Sequence, residues 1–203
     1  EFPLRLVGSE MCIRDSYCTI SYVALSENEK GVIYTGSDDG LVYLTKDGGA
    51  HWTNITPKNL DESLINAIEV STVNKGTAYI AVNKYKFNNF TPNIYVTNDY
   101  GASWKEISTG IPYGAFVKVV REDPTNTNIL YAGTETGFYI SYDAGAHWKQ
   151  LQLNLPVVPI TDLKVHENHL LASTQGRAFW ILDDLAPIRN YNSDTTKTHL
   201  FTC

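Results

Sequence analysis

Methionine occurs once in 203 residues and cysteine three times, so neither carries the architecture. Cys12, Cys18 and Cys203 lie near the two ends. An odd count confined there is no disulfide framework, and without a C-x-x-C pair there is no cysteine-built zinc site. Basic charge is also scarce. Sixteen Lys and Arg stand against 22 Asp and Glu, a formal net charge of −6. The cationic footprint of a duplex-binding protein is missing, as is the basic bias of a membrane-surface protein. No apolar run approaches the ~18–20 residues of a spanning helix. No histidine falls in an H-x-x-x-H or H-E-x-x-H spacing, and there is no G-x-G-x-x-G or phosphate-binding loop, so no metal and no cofactor are expected. A sustained 3.6-residue apolar period is absent as well, which argues against helices.

What the sequence does contain is 43% apolar residues, enough for a core, and 12% aromatics, including 13 Tyr and 4 Trp. That profile favours strands. One pattern recurs: Thr45-Lys46-Asp47-Gly48-Gly49-Ala50-His51-Trp52, Thr97-Asn98-Asp99-Tyr100-Gly101-Ala102-Ser103-Trp104 and Ser141-Tyr142-Asp143-Ala144-Gly145-Ala146-His147-Trp148. Trp52, Trp104 and Trp148 are 52 and 44 residues apart. A period of ~40–50 residues suits a four-stranded propeller blade. Asp47, Asp99 and Asp143 can accept backbone N–H groups of their own turn. Gly49, Gly101 and Gly145 can take positive φ without steric cost. The Ser or Thr hydroxyl can tie the hairpin, and the Trp can anchor it to a neighbouring sheet.

A second register supports the repeat. Tyr34–Gly40 aligns with Tyr131–Gly137 and with Leu170–Gly176, which puts a fourth, decayed turn at Asp183, with Leu185 and Ile188 in its Gly and Trp slots. Alternating runs predict four strands in each of three blades, over 19–55, 64–107 and 116–151, and three more from 161 to 182. The segment 84–92 reads as an insertion in the second blade, and 61–64 as a short helical turn.

These residues resemble the Asp-box, or bacterial-neuraminidase-repeat, β-propellers, and most of all the sortilin-like group in its bacterial secreted form. Tyr85-Lys86-Phe87, Phe90-Thr91-Pro92-Asn93-Ile94-Tyr95, Val119–Pro124, Leu130–Glu135, Leu153–Pro156 and Gly176–Leu185 extend the likeness over 19–189. Gln175 departs from it, where relatives carry His before Gly-Arg. The resemblance implies an all-β propeller piece of about four blades, secreted, periplasmic or cell-surface. About four blades leave two open strand edges, so further blades of the same chain are expected to close the ring. Residues 1–18 are expected to be a non-native or disordered leader, since 7–16 resemble translated sequencing-adapter read-through, and 190–203 a polar tail or linker.

No catalytic set converges. An acid repeated once per blade occupies equivalent places around an axis, so the box acids are expected to be structural. Adjacent acids such as Glu122/Asp123 and Asp183/Asp184 point to opposite faces of a strand, so neither pair is a glycosidase dyad by itself. Arg121, Arg177 and Arg189 do not constitute the arginine triad of a sialidase. The expected function is non-catalytic binding of a protein, peptide or glycan, without nucleic acid. The candidate contacts are Tyr85, Phe87 and Phe90 of the insertion, with Arg121 and Arg177. The alternatives are part of a glycoside hydrolase, xyloglucanase- or sialidase-like, or a purely structural array element.

Overall fold

In the computed structural model, which describes residues 19–191, the alternating runs form four antiparallel sheets, each a simple meander. Sheet A holds β1 (Ile20–Leu25), β2 (Ile33–Ser37), β3 (Val42–Thr45) and β4 (Thr53–Asn54). Sheet B holds β5 (Leu64–Val70), β6 (Ala78–Lys84), β7 (Asn89–Thr97) and β8 (Lys105–Glu106). Sheet C holds β9 (Val117–Glu122), β10 (Leu130–Thr134), β11 (Phe138–Ser141) and β12 (Lys149–Gln150). Sheet D holds β13 (Ile160–His166), β14 (His169–Thr174) and β15 (Phe179–Leu182). The first strand of each sheet packs against the first strand of the next, β1 on β5, β5 on β9 and β9 on β13. Sheets set radially around their first strands are the blades of a β-propeller, here an arc of about four. The all-β fold expected from the repeat is the one observed.

Apolar residues alternate within each strand, so every blade has a leading face toward the blade before it and a trailing face toward the blade after it. Gly36 illustrates the joint. A Cβ there would run into the Ile65 side chain of blade B, and one at Gly133 would run into Ile160 of blade D. Small residues on a trailing face let the next blade approach closely. The buried residues form two clusters along these joints, one spanning blades A and B, the other blades B to D.

Strand ladders refine the repeat. Tyr22 pairs with Gly36 and Asp162 with Ser173, so Ser173 rather than Ala172 is the counterpart of Gly36 in blade D. Leu182 pairs with Leu170 as Thr45 pairs with Ile33, which makes Asp184, not Asp183, the acid of the fourth turn. The turn between β14 and β15 is as long as its counterpart in blade A, but its glycine stands one residue earlier, Gly176 at the place of Asp39, so aligning Gly176 with Gly40 shifts the register by one. A short helix, α1 (Ala186–Arg189), occupies the place of the glycine–indole segment.

Two other expectations change. The outer strands β4, β8 and β12 contain only two paired residues each, and in blades B and C the box Trp turns onto the preceding blade instead of extending the ladder. The insertion shrinks to a 3-10 turn, Tyr85–Phe87, since Asn89 already pairs with Lys84 and β7 starts there. Residues 61–64 are not helical. The expected leader 1–18 and the tail beyond Tyr191 lie outside the described residues.

Candidate functional site

Three places gather chemistry-bearing side chains: the rim where the repeated turns lie, the axis, and the end of the arc opposite the turns.

At the rim, the three repeated turns share one hydrogen-bond pattern. Thr45, Thr97 and Ser141 each donate a hydroxyl to the acid two residues on, at 2.8 Å in every case. The same hydroxyl accepts the N–H of Gly49, Gly101 or Gly145 at 2.8–2.9 Å. The acid accepts the N–H four residues on, from His51, Ser103 or His147, at 2.8–2.9 Å. Its second oxygen meets the side chain of that residue, His51 at 2.6 Å, Ser103 at 2.5 Å and His147 at 2.7 Å. These bonds favour the ionised carboxyl. The His51 N–H and ring hold Asp47 well below the usual carboxylate range, and the Ser103 hydroxyl and N–H lower Asp99 to about 2. For Asp143, partial burial opposes the shift, but the His147 contacts outweigh it. An acid held this way is a poor proton donor near neutrality. Asp47 and Asp99 flank a cavity of about 810 Å³ between blades A and B, together with Lys46, Tyr95, Tyr100 and Trp104. Lys46 Nζ sits 3.7 Å from the Tyr100 ring centroid.

At the axis stands Arg121, a candidate contact from the sequence. Its Nε donates to the Leu163 carbonyl at 2.8 Å and its Nη2 to Asp162 at 2.7 Å, both on blade D. Nη2 also donates to the Tyr22 hydroxyl of blade A at 3.0 Å. Nη1 donates to the Val120 carbonyl at 3.0 Å and lies 3.4 Å from Glu69 of blade B. One buried guanidinium therefore touches all four blades, and its donors are directed at protein acceptors. Burial pushes Glu69 up to about 7 against the pull of Arg121, and burial also raises Glu122. Glu122 and Asp123 diverge: Tyr79 of blade B donates to Glu122, while Tyr131 and Arg189 donate to Asp123.

The end opposite the turns is built differently. Each inner strand opens with a one-residue bulge, and the extra residue is polar in every blade: Ser21, Asn66, Lys118 and Thr161. Ser21 donates to the Ile65 carbonyl at 2.6 Å and Asn66 to the Lys118 carbonyl at 2.5 Å, stitching blade to blade around the mouth of the axis. Beside this collar lies an aromatic platform. Tyr85 stacks on Phe116 with centroids 5.8 Å apart, and Phe90 meets Phe116 at 6.1 Å and Tyr113 at 6.3 Å. The 3-10 turn of blade B is thus packed onto the loop entering blade C, yet Tyr85, Phe87 and Tyr113 keep exposed ring surface. Lys118 and Glu135 form an ion pair of 2.7 Å at its edge. Tyr113 and Phe116 were not among the candidates read from the sequence, because only the fold brings their loop beside the insertion. Arg177 is exposed on the turn between β14 and β15, away from Arg121. Among the described residues no cluster of His, Cys, Asp or Glu is arranged to hold a metal ion, and no helix is long and apolar enough to cross a membrane.

With this geometry in place, known proteins offer a comparison. No family model matches the sequence, and no curated protein matches it. Solved structures do. A GH74 xyloglucanase from Xanthomonas campestris superposes with a TM-score of 0.64 at 18% identity, over 82% of this chain and 28% of that one. An ancestral GH74 enzyme gives 0.63 at 17%, over 78% and 22%. YCF48 bound to a D1 peptide gives 0.60 at 16%, over 81% and 51%. The likeness is one of fold. The chain spans about a quarter of the two hydrolases and half of the peptide-bound protein.

Proposed function

We propose that this chain is part of a non-catalytic propeller module that binds an extended protein, peptide or glycan ligand. The observation that carries this reading is the platform of Tyr85, Phe87, Phe90 and Tyr113 beside the polar collar. Rigid aromatic faces next to hydrogen-bonding groups recognise both sugar rings and peptide side chains, and they lose little conformational freedom on binding. The other features support it by default. The box acids are occupied by their own turns, and the Arg121 donors by the blades. We read the repeated turns as Asp-boxes of a sortilin-like protein acting outside the cytoplasm, with further blades of a parent chain completing the ring. A peptide seated on a protein of the same fold supports this class of partner.

Arrayed peptides and xyloglucan oligosaccharides, followed by calorimetry on the hits, test the reading. Tyr85→Ala with Tyr113→Ala should weaken a genuine ligand about thirtyfold, the ~2 kcal/mol of a binding hot spot, without changing the unfolding midpoint. A ligand whose affinity ignores both changes would place the site elsewhere.

The fold likeness to GH74 enzymes favours a second reading, a piece of a glycoside hydrolase. It requires two carboxyl groups facing one sugar bond. Release of reducing ends from xyloglucan, abolished by a single acid-to-amide change, would establish it over the first.

A further inference from the structure

Because the four blades repeat one ladder, each position can be compared across them. The residues just before the inner-strand bulges are Ile20, Ile65, Val117 and Ile160. The last three are 0% exposed, while Ile20 is 61% exposed. Just past the bulge, Ile68, Val120 and Leu163 are at most 1% exposed, while Val23 is 51% exposed. The side chains are alike in kind, so the difference lies in what covers them. In blades B, C and D it is the trailing face of the blade before. The box tryptophans repeat the contrast. The indole N–H of Trp104 donates to the Ile55 carbonyl of blade A at 2.6 Å, and that of Trp148 to Ile107 of blade B at 2.5 Å. Trp52 occupies the same place in blade A and is 44% exposed.

The other end of the arc carries the mating half. Val42, Ile94 and Phe138 lie buried beneath the next blade, while Phe179 at the same rung of blade D is 80% exposed. Leu44, Val96 and Ile140 are buried, while their counterpart Ile181 is 58% exposed. Among the described residues the arc therefore displays one complete leading face and one complete trailing face, the two halves of a joint it already makes three times.

We propose that, in the 203-residue chain by itself, these faces join between molecules, the trailing face of blade D in one copy seating on the leading face of blade A in a second. The contact continues the established A–B, B–C and C–D joints and needs no new chemistry. Since the two faces differ, the contact is heterologous. Two copies related by a two-fold axis make it twice and close a ring of eight blades, within the ~4–8 typical of propellers. This inference stands apart from the ligand reading above, and in a longer parent chain the same two faces would seat on its further blades instead.

Light scattering coupled to gel filtration on the full 203-residue chain tests it. The expected result is a species of twice the chain mass at micromolar concentration. Val23→Lys removes the leading face and Ile181→Lys the trailing face, and each alone should give a monomer with unchanged circular dichroism. Mixing the two variants in equal amounts should restore a species of twice the chain mass, because one intact face of each kind remains. Phe179→Lys substitutes for Ile181→Lys if the latter loses its fold. A wild-type monomer, an open series of growing oligomers, or a mixture that stays monomeric would each overturn the proposal.

Discussion

Gly49, Gly101 and Gly145 occupy the same place in the same eight-residue pattern, yet alanine should affect them unequally. All three have left-handed φ, +105°, +83° and +89°. Forcing alanine there costs about 1–2 kcal/mol, partly offset by the ~0.5–1 kcal/mol gained from a less flexible unfolded chain. That term is shared. The surroundings are not. A Cβ on Gly101 would stand 2.5 Å from Ile55 Cδ1, and one on Gly145 2.5 Å from Ile107 Cδ1, whereas on Gly49 the closest atoms are its own Trp52 ring at 3.9 Å. Overpacking of that kind adds about 1–3 kcal/mol. Gly101→Ala and Gly145→Ala should therefore cost about 2–4 kcal/mol each, and Gly49→Ala about 1 kcal/mol or less. Urea unfolding followed by tryptophan fluorescence measures all three, since the indoles sit at the joints in question. Equal losses would refute the claim that the box glycine serves the inter-blade contact as well as its own turn.

Further expectations follow from the same joints and the axis. Trp104→Phe and Trp148→Phe remove an indole N–H from a backbone carbonyl and should cost about 1–2 kcal/mol each, while Trp52→Phe should be near neutral by the same denaturant assay. Arg121→Met removes a buried cation and leaves the partly buried Glu69 and Asp162 without it, and should cost about 3–5 kcal/mol in thermal or urea unfolding, with Arg121→Lys recovering only part because it cannot reach four blades at once. Stability should also fall as pH rises from about 4.5 to about 7. Glu69 binds its proton more tightly in the folded protein than in the unfolded one, so its contribution is fully present below the unfolded value of 4.5 and is lost as pH climbs through about 7. Asp47, Asp99 and Asp143 shift the opposite way and lose their contribution as pH falls below the ordinary carboxylate range. Melting temperatures from pH 3 to 9 should peak on the acidic side of neutrality, and Glu69→Gln should flatten the decline between about 4.5 and 7.

The turns were legible in the sequence because each packs its function into eight consecutive residues, so spacing alone exposes it. The joints were less legible. They depend on partners far apart in the chain, and a turn glycine standing one residue early between β14 and β15 was enough to shift the sequence reading from Asp184 to Asp183 and from Ser173 to Ala172. The inner-strand bulges left even less trace, because Ser21, Asn66, Lys118 and Thr161 share polarity but no residue type. Arg121 read as a candidate ligand contact, and that this one side chain instead reaches blades A, B and D could be found only in three dimensions. Likewise Tyr85 and Phe90 stood out as an aromatic loop, whereas Phe116, the ring that organises them, did not.

The same distinction governs how the arc is expected to come apart. Inside a blade the contacts are between neighbouring strands and close early, while the joints bring together residues about 40–100 positions apart. Proteins built of stacked repeats derive their stability from repeat and interface terms in turn. Arg121 adds to this a term that belongs to no single interface, since it ties Tyr22 of the first blade to Asp162 of the last. Its removal should therefore lower cooperativity as well as stability. In Arg121→Met, hydrogen exchange should show blade A or blade D opening while β6, whose side chains are all buried, and β10 remain protected. If the amides of all four blades still exchanged together in that variant, the arginine would be one contact among many rather than the tie that makes the arc unfold as a unit.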